Sequence, residues 1–187
     1  MPYLFPQHIK PCSVMVFVDG ENLAIRWKHQ FGSQTVPTHV THMPDVFVWS
    51  QFLNMDRHTQ CNIIRKHYYT SASGDEPTRN QIIDQLQSLG IESPFVFPRT
   101  KNKGSKRVDI TLSVDMLTHA YQKNYDVAVL VAGDEDYVPL VNAVKNAGRR
   151  VFIWFVSDGL SPALKRAADD YFDIGKILSD PNVAQYF

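Results

Sequence analysis

The sequence predicts a doubly wound α/β domain, and three observations carry that prediction. Short β-branched and aromatic runs alternate with longer helical patterns, several of those runs are apolar at consecutive positions, and glycines stand where helices should stop. Alternation of this kind implies a parallel sheet with right-handed crossovers. Consecutive apolar positions mark strands covered on both faces. Gly90 and Gly148 occupy the place where a left-handed residue closes a helix. With 187 residues, one domain is the default, large enough to bury a core without staples.

Taken in order, residues 14–19, 61–69, 91–97, 126–131 and 150–156 are the five predicted strands, rich in Val, Ile, Phe and Tyr. Helical patterns fill 22–31, 44–55, 77–89, 106–122 and 138–147, with a final short helix over 162–168. Residues 32–43 form a polar loop with His39 and His42. Their spacing resembles a metal pair, but a mixed polar loop is the simpler reading. The domain is expected over 14–174, between an extension (1–13) and a tail (175–187).

Composition narrows the function. There are 19 basic and 19 acidic residues, and the pI is near 7.1, which argues against a general DNA-coating protein. Cys12 and Cys61 are too few for a disulfide scaffold or a cysteine zinc cage, and their scarcity fits a reducing, cytoplasmic setting. No apolar run approaches the ~20 residues a bilayer requires. The first ten residues lack the basic start of a signal peptide. No P-loop, dinucleotide-binding glycine motif or nucleophile elbow occurs.

Ligands of open α/β sheets bind beyond the carboxyl ends of the strands. Asp19 follows the first strand, Asp134 and Asp136 follow the fourth, and Asp109 opens the helix after the third. Each alone also fits a helix cap, a turn or a favourable helix start; four on one rim are expensive without a cation. Mg²⁺ or Mn²⁺ suits such oxygen ligands and serves phosphoryl displacement. Beside them, 99–107 carries five cations and no acid (Arg99, Lys101, Lys103, Lys106 and Arg107), a candidate path for nucleic-acid phosphates.

Three stretches together, Phe17-Val18-Asp19-Gly20-Glu21-Asn22-Leu23, Lys106-Arg107-Val108-Asp109-Ile110 with Val114-Asp115-Met116, and Ala132-Gly133-Asp134-Glu135-Asp136-Tyr137-Val138-Pro139-Leu140, resemble the NYN domain. The likeness is to its LabA-like (DUF88) branch, within the PIN-like nuclease superfamily. It implies a PIN-like three-layer α/β/α sandwich around a mainly parallel five-stranded sheet. It also implies a Mg²⁺- or Mn²⁺-dependent ribonuclease with Asp19, Asp109, Asp134 and Asp136 as metal-binding and catalytic acids. Asn22 matches the family's supporting Asn. Asp115 recurs in the pattern, but it lies about 240° around the helix from Asp109 and takes a secondary place; its spacing also suits a pair with His119.

The expected function is therefore cleavage of RNA at an acidic metal site, with no membrane partner and with a homodimer allowed. A non-catalytic RNA-binding module is the first rival. A metal-dependent phosphatase is the second, weakened because Asp19-Gly20-Glu21 lacks the D-x-D-x-[TV] nucleophile pattern.

Overall fold

The computed structural model describes residues 11–54, 61–99 and 104–186. The elements run β1 (Cys12–Asp19), α1 (Gly20–Phe31), β2 (Val40–Met43), β3 (Phe47–Ser50), β4 (Cys61–Ala72), α2 (Glu76–Ser88) and β5 (Ser93–Pro98). They continue through α3 (Gly104–Tyr121), β6 (Val127–Val131), α4 (Val138–Asn146), β7 (Arg150–Phe155), α5 (Pro162–Ala167), β8 (Asp170–Asp173) and α6 (Gly175–Ser179).

Six strands, not five, form the central sheet, in the order β5-β4-β1-β6-β7-β8. All the pairings are parallel. The strand missing from the sequence reading is β8, four residues of exposed and half-buried character, too short and polar to carry a buried-strand pattern. Buried strands dominate the centre: Val16, Phe17 and Val18 of β1 and Leu130 and Val131 of β6 are fully buried. On one face α3 packs against α4; elsewhere α1 packs against β3 and α6. Gly90 and Gly148 have φ of +83° and +79°, as their place after α2 and α4 demands.

The predicted helix over 44–55 is a correction. Residues 47–50 are β3, antiparallel to β2, and only Gln51–Asn54 makes a single 3₁₀ turn. Asp45 reverses the chain at φ +57°, a conformation Asp tolerates, and Val46 N–H closes the turn on Met43 O at 3.0 Å. Phe47, Val48, Trp49 and Ser50 are all buried. A fully buried apolar run does not reveal its period. The buried Tyr68 hydroxyl, 3.2 Å from both the N–H and the carbonyl of Val48, ties this hairpin to the sheet.

Two further expectations change. Cys12 and Cys61, register partners at the starts of β1 and β4, form a disulfide, where their scarcity had pointed to a reducing compartment. The stretch set aside as a tail is partly core: Ile177, Leu178 and Val183 are buried, and Trp27 Nε1–H donates to Leu178 O at 3.0 Å. His67 of β4 is buried in an aromatic stack, its ring 5.0 Å from Phe17 and near-parallel to it. Among the described residues, neither of its ring nitrogens has a hydrogen-bond partner. His119, expected on a helix surface, lies 5.3 Å from the same ring.

Candidate functional site

Strand order places β1 between β4, to which the chain moves first, and β6, to which it returns. The crevice beyond the carboxyl ends of β1 and β6 is thus the topological switch point.

Asp19 ends β1 and caps α1: its Oδ1 accepts the Asn22 N–H at 3.0 Å. The Asn22 side chain does not cap its own helix. Its Oδ1 accepts the Gly133 N–H at 3.0 Å, fastening the β6 loop to the start of α1. In that loop Asp134 caps the turn Glu135–Tyr137 by accepting the Asp136 N–H at 3.2 Å. The Asp136 carboxylate caps nothing, because α4 begins without a side-chain cap; it is exposed at the rim. Asp109 sits in the second turn of α3 rather than the first, since the helix already begins at Gly104.

Tyr137 joins the buried Asp19 to the half-buried Asp109. Its hydroxyl lies 2.9 Å from Asp19 Oδ2 and 3.2 Å from Asp109 Oδ1, so residues from three elements converge on one oxygen. Sequence reasoning assigned Tyr137 no role. The only signal was its position inside the acidic run, and the destination of a hydroxyl is a tertiary fact. Asp109, Asp134, Asp136 and Tyr137 line a cleft of about 230 Å³, with Ile110 and Val114 as its apolar wall.

Burial pushes the Asp19 carboxyl up to about 7, against the Asn22 N–H and the Tyr137 hydroxyl, which favour its charge. Asp109 is also raised, first by burial and then by repulsion from Asp134, Glu21 and Asp136. Burial and the two neighbouring carboxylates hold the Tyr137 hydroxyl protonated.

Among the described residues, none of the four acids is in an ion pair with Lys or Arg, and no three His, Cys, Asp or Glu side chains close on a common point able to hold a metal ion. The donor set, all carboxylate oxygen and electrostatically uncompensated, fits a hard divalent cation bound through one or two carboxylates with water completing its shell, which is how Mg²⁺ is usually held.

The other candidate residues scatter. Asp115 accepts from the Tyr69 hydroxyl at 2.9 Å and stands apart from the cleft; His119 instead meets Asn124. Arg99 turns inward. Its guanidinium pairs with Glu21 at 3.4 Å and bonds the hydroxyl and carbonyl of Ser71 and the carbonyl of Asp45. Lys106 and Arg107 are exposed, with the Arg107 guanidinium 5.0 Å above the Phe97 ring. Lys101 and Lys103 lie outside the described residues. His39 bonds Ile177 O at 2.9 Å, while His42 packs on Trp27, so the two do not form a pair.

The family model of the NYN domain matches residues 13–177. The chain belongs to the NYN domain family. Among its relatives, the uncharacterized protein MJ0482 of Methanocaldococcus jannaschii is 30% identical over 69 residues, 37% of this chain and 29% of that protein. The match thus spans less than a third of that relative's length. Among solved structures, VPA0982 of Vibrio parahaemolyticus, a protein of unknown function, superposes with a TM-score of 0.66 at 20% identity. That likeness covers 88% of this chain and 94% of the other, and at such identity it speaks for the fold alone. The parallel sheet accounts for why Asp19 and Asp134 stand at one edge: they lie at the carboxyl ends of the adjacent central strands β1 and β6.

Proposed function

We propose that this NYN domain is a metal-dependent endoribonuclease that hydrolyses RNA phosphodiester bonds at the cleft lined by Asp109, Asp134 and Asp136, with the buried Asp19 joined to it through Tyr137. The observation that carries the reading is the convergence of Asp19 and Asp109 on the Tyr137 hydroxyl beside a cleft edged by two more acids. Structural carboxylates are normally paired with cations, and clusters that lack one and have raised pKa values are candidate sites of chemistry. Membership of a nuclease superfamily adds to it.

Mg²⁺ or Mn²⁺, when bound, supplies Lewis acidity toward the phosphodiester. Asp19 and Asp109 would hold it, with Asp134 and Asp136 at the rim. The chain's own contribution is placement. Asn22 locks the Gly133 loop to α1, Asp134 orders the turn that presents Tyr137, and Tyr137 separates the two inner carboxylates. Ile110 and Val114, both exposed, give one side of the cleft an apolar surface.

A non-catalytic RNA-binding module is the second reading, favoured by the absence of a closed three-ligand site among the described residues. The two part on one experiment: purified protein is incubated with mixed RNAs and with DNA, in Mg²⁺ or Mn²⁺ and then in EDTA. Chelator-sensitive cleavage of RNA is the expected result. RNA binding without cleavage establishes the module, and phosphate release from small esters a phosphatase.

A further inference from the structure

A fifth acid stands beside the four aspartates, and unlike them it has a cation. Glu21 lies in the first turn of α1, two residues after Asp19, and is buried. Its Oε1 accepts from the Ser71 hydroxyl near the end of β4 and lies 3.4 Å from Nη2 of Arg99. Arg99 directly follows β5 and is fixed in place by β4. Its Nε–H donates to Ser71 Oγ at 3.0 Å, Nη2 donates to Ser71 O at 2.9 Å, and its backbone N–H donates to Ala72 O at 2.9 Å. The guanidinium is therefore committed to protein acceptors.

The position of Glu21 gives this pair a consequence for the acidic site. The Glu21 carboxylate repels both Asp19 and Asp109, so it stands within electrostatic reach of the cluster. Side-chain exposures of 12% for Glu21 and 31% for Arg99 leave the two charges weakly screened by solvent. Alone, Glu21 would add a further negative charge to an already repelling set. Alone, Arg99 would oppose the approach of any cation. Together they are neutral, and the oxygen that Arg99 and Ser71 share is already engaged by two donors.

We propose that Arg99 is a positioning residue that acts through Glu21: it cancels the charge of this fifth acid and holds it in a protein ion pair, leaving the four aspartates to set the affinity of the cleft for a divalent cation. The proposal rests on the metal-site reading above and gives Arg99 a task other than contact with nucleic-acid phosphate.

The test is Mn²⁺ affinity by calorimetry at low and at high salt, with Tm in EDTA as the check on folding. Glu21→Gln keeps the size and an acceptor oxygen but leaves the Arg99 charge unbalanced. It is expected to weaken Mn²⁺ binding relative to the parent by about threefold to tenfold at low salt and by less at high salt. Adding Arg99→Gln to Glu21→Gln restores neutrality and is expected to return the affinity to that of the parent. A pair that serves only as a clamp predicts the opposite: the double variant at least as impaired as the single one, with no dependence on salt. Should the double variant not fold, the size and salt dependence of the effect in Glu21→Gln decide the matter alone. Unchanged affinity in Glu21→Gln, or a folded double variant that binds no more tightly than Glu21→Gln, overturns the charge-balancing role and leaves the metal site standing. A parent that binds no Mn²⁺ overturns both.

Discussion

Asp19 is at once a helix cap and a member of an acidic cluster, and burial opposes its charge. Its folded pKa, about 7, lies above the ordinary 3.8. The folded protein therefore keeps a proton that the unfolded chain has lost, and this stabilisation is lost as pH rises from about 4 through 7, up to about 4 kcal/mol. His67 runs the other way. Burial lowers it from 6.5 to about 4, so the unfolded chain takes the proton first, and stability present above pH 6.5 is lost as pH falls toward 4, up to about 3 kcal/mol. In EDTA the two act in opposite directions across that window, with the raised Asp109 adding to the side of Asp19. Asp19→Asn should expose the acid-side loss and His67→Phe the alkaline-side loss. Parallel Tm profiles in all three proteins would contradict this account. Tyr137→Phe tests the bridging hydroxyl: groups that orient metal ligands typically contribute 10- to 100-fold, and a loss of about that size is expected in Mn²⁺ affinity by calorimetry and in RNA cleavage. Unaltered Mn²⁺ affinity would make Tyr137 a packing residue only.

Among the elements, the connection from β5 to α3 divides its cations by task. Arg99 is spent on Glu21, Ser71 and Asp45, holding the root of the loop to β4 and the hairpin turn. Lys106 and Arg107, on the first turn of α3, face solvent, three and two residues before Asp109. Replacing Lys101, Lys103 and Lys106 together by Gln should weaken RNA binding and flatten the salt dependence by roughly two units, at about 0.7 per phosphate contact on single strands. Stabilisation by Mn²⁺ should survive, because the carboxylates remain. Equal affinity and slope in parent and triple variant would move the phosphate path off this loop. The charge run itself was legible as a pattern; that its first member is internal was not, because an ion pair across 78 positions leaves no local trace.

For the whole molecule, the proposed metal site would link metal binding to folding. A cation that binds only the folded state stabilises it by about 2.7 kcal/mol at a hundredfold excess over its Kd. Millimolar Mn²⁺ should therefore raise the Tm, and EDTA should reverse the rise. Asp134→Asn should remove the response and leave the metal-free protein no less stable, since one member of a repelling set is gone. A full Mn²⁺ response in Asp134→Asn would take Asp134 out of the site. Among the described residues no helix is long and apolar enough to cross a membrane.

The alternation of β and α segments, the buried character of the central strands and the order of the acidic motifs were set by the sequence alone. Periodicity, glycine placement and position along the chain are local properties, and the right-handed crossover rule converts them into a parallel sheet. That same rule brings Asp19 and Asp134 to one rim. Tertiary structure decided what local pattern cannot encode. The buried run at Phe47–Ser50 became a hairpin because its partners lie in β2 and β4, not in its own period. The short β8 exists only because β7 offers it an edge, and α6 holds because Trp27 reaches Leu178 across 151 positions. The hydroxyl of Tyr137 and the inward turn of Arg99 both depend on contacts between distant segments, whose geometry is settled only when the core closes.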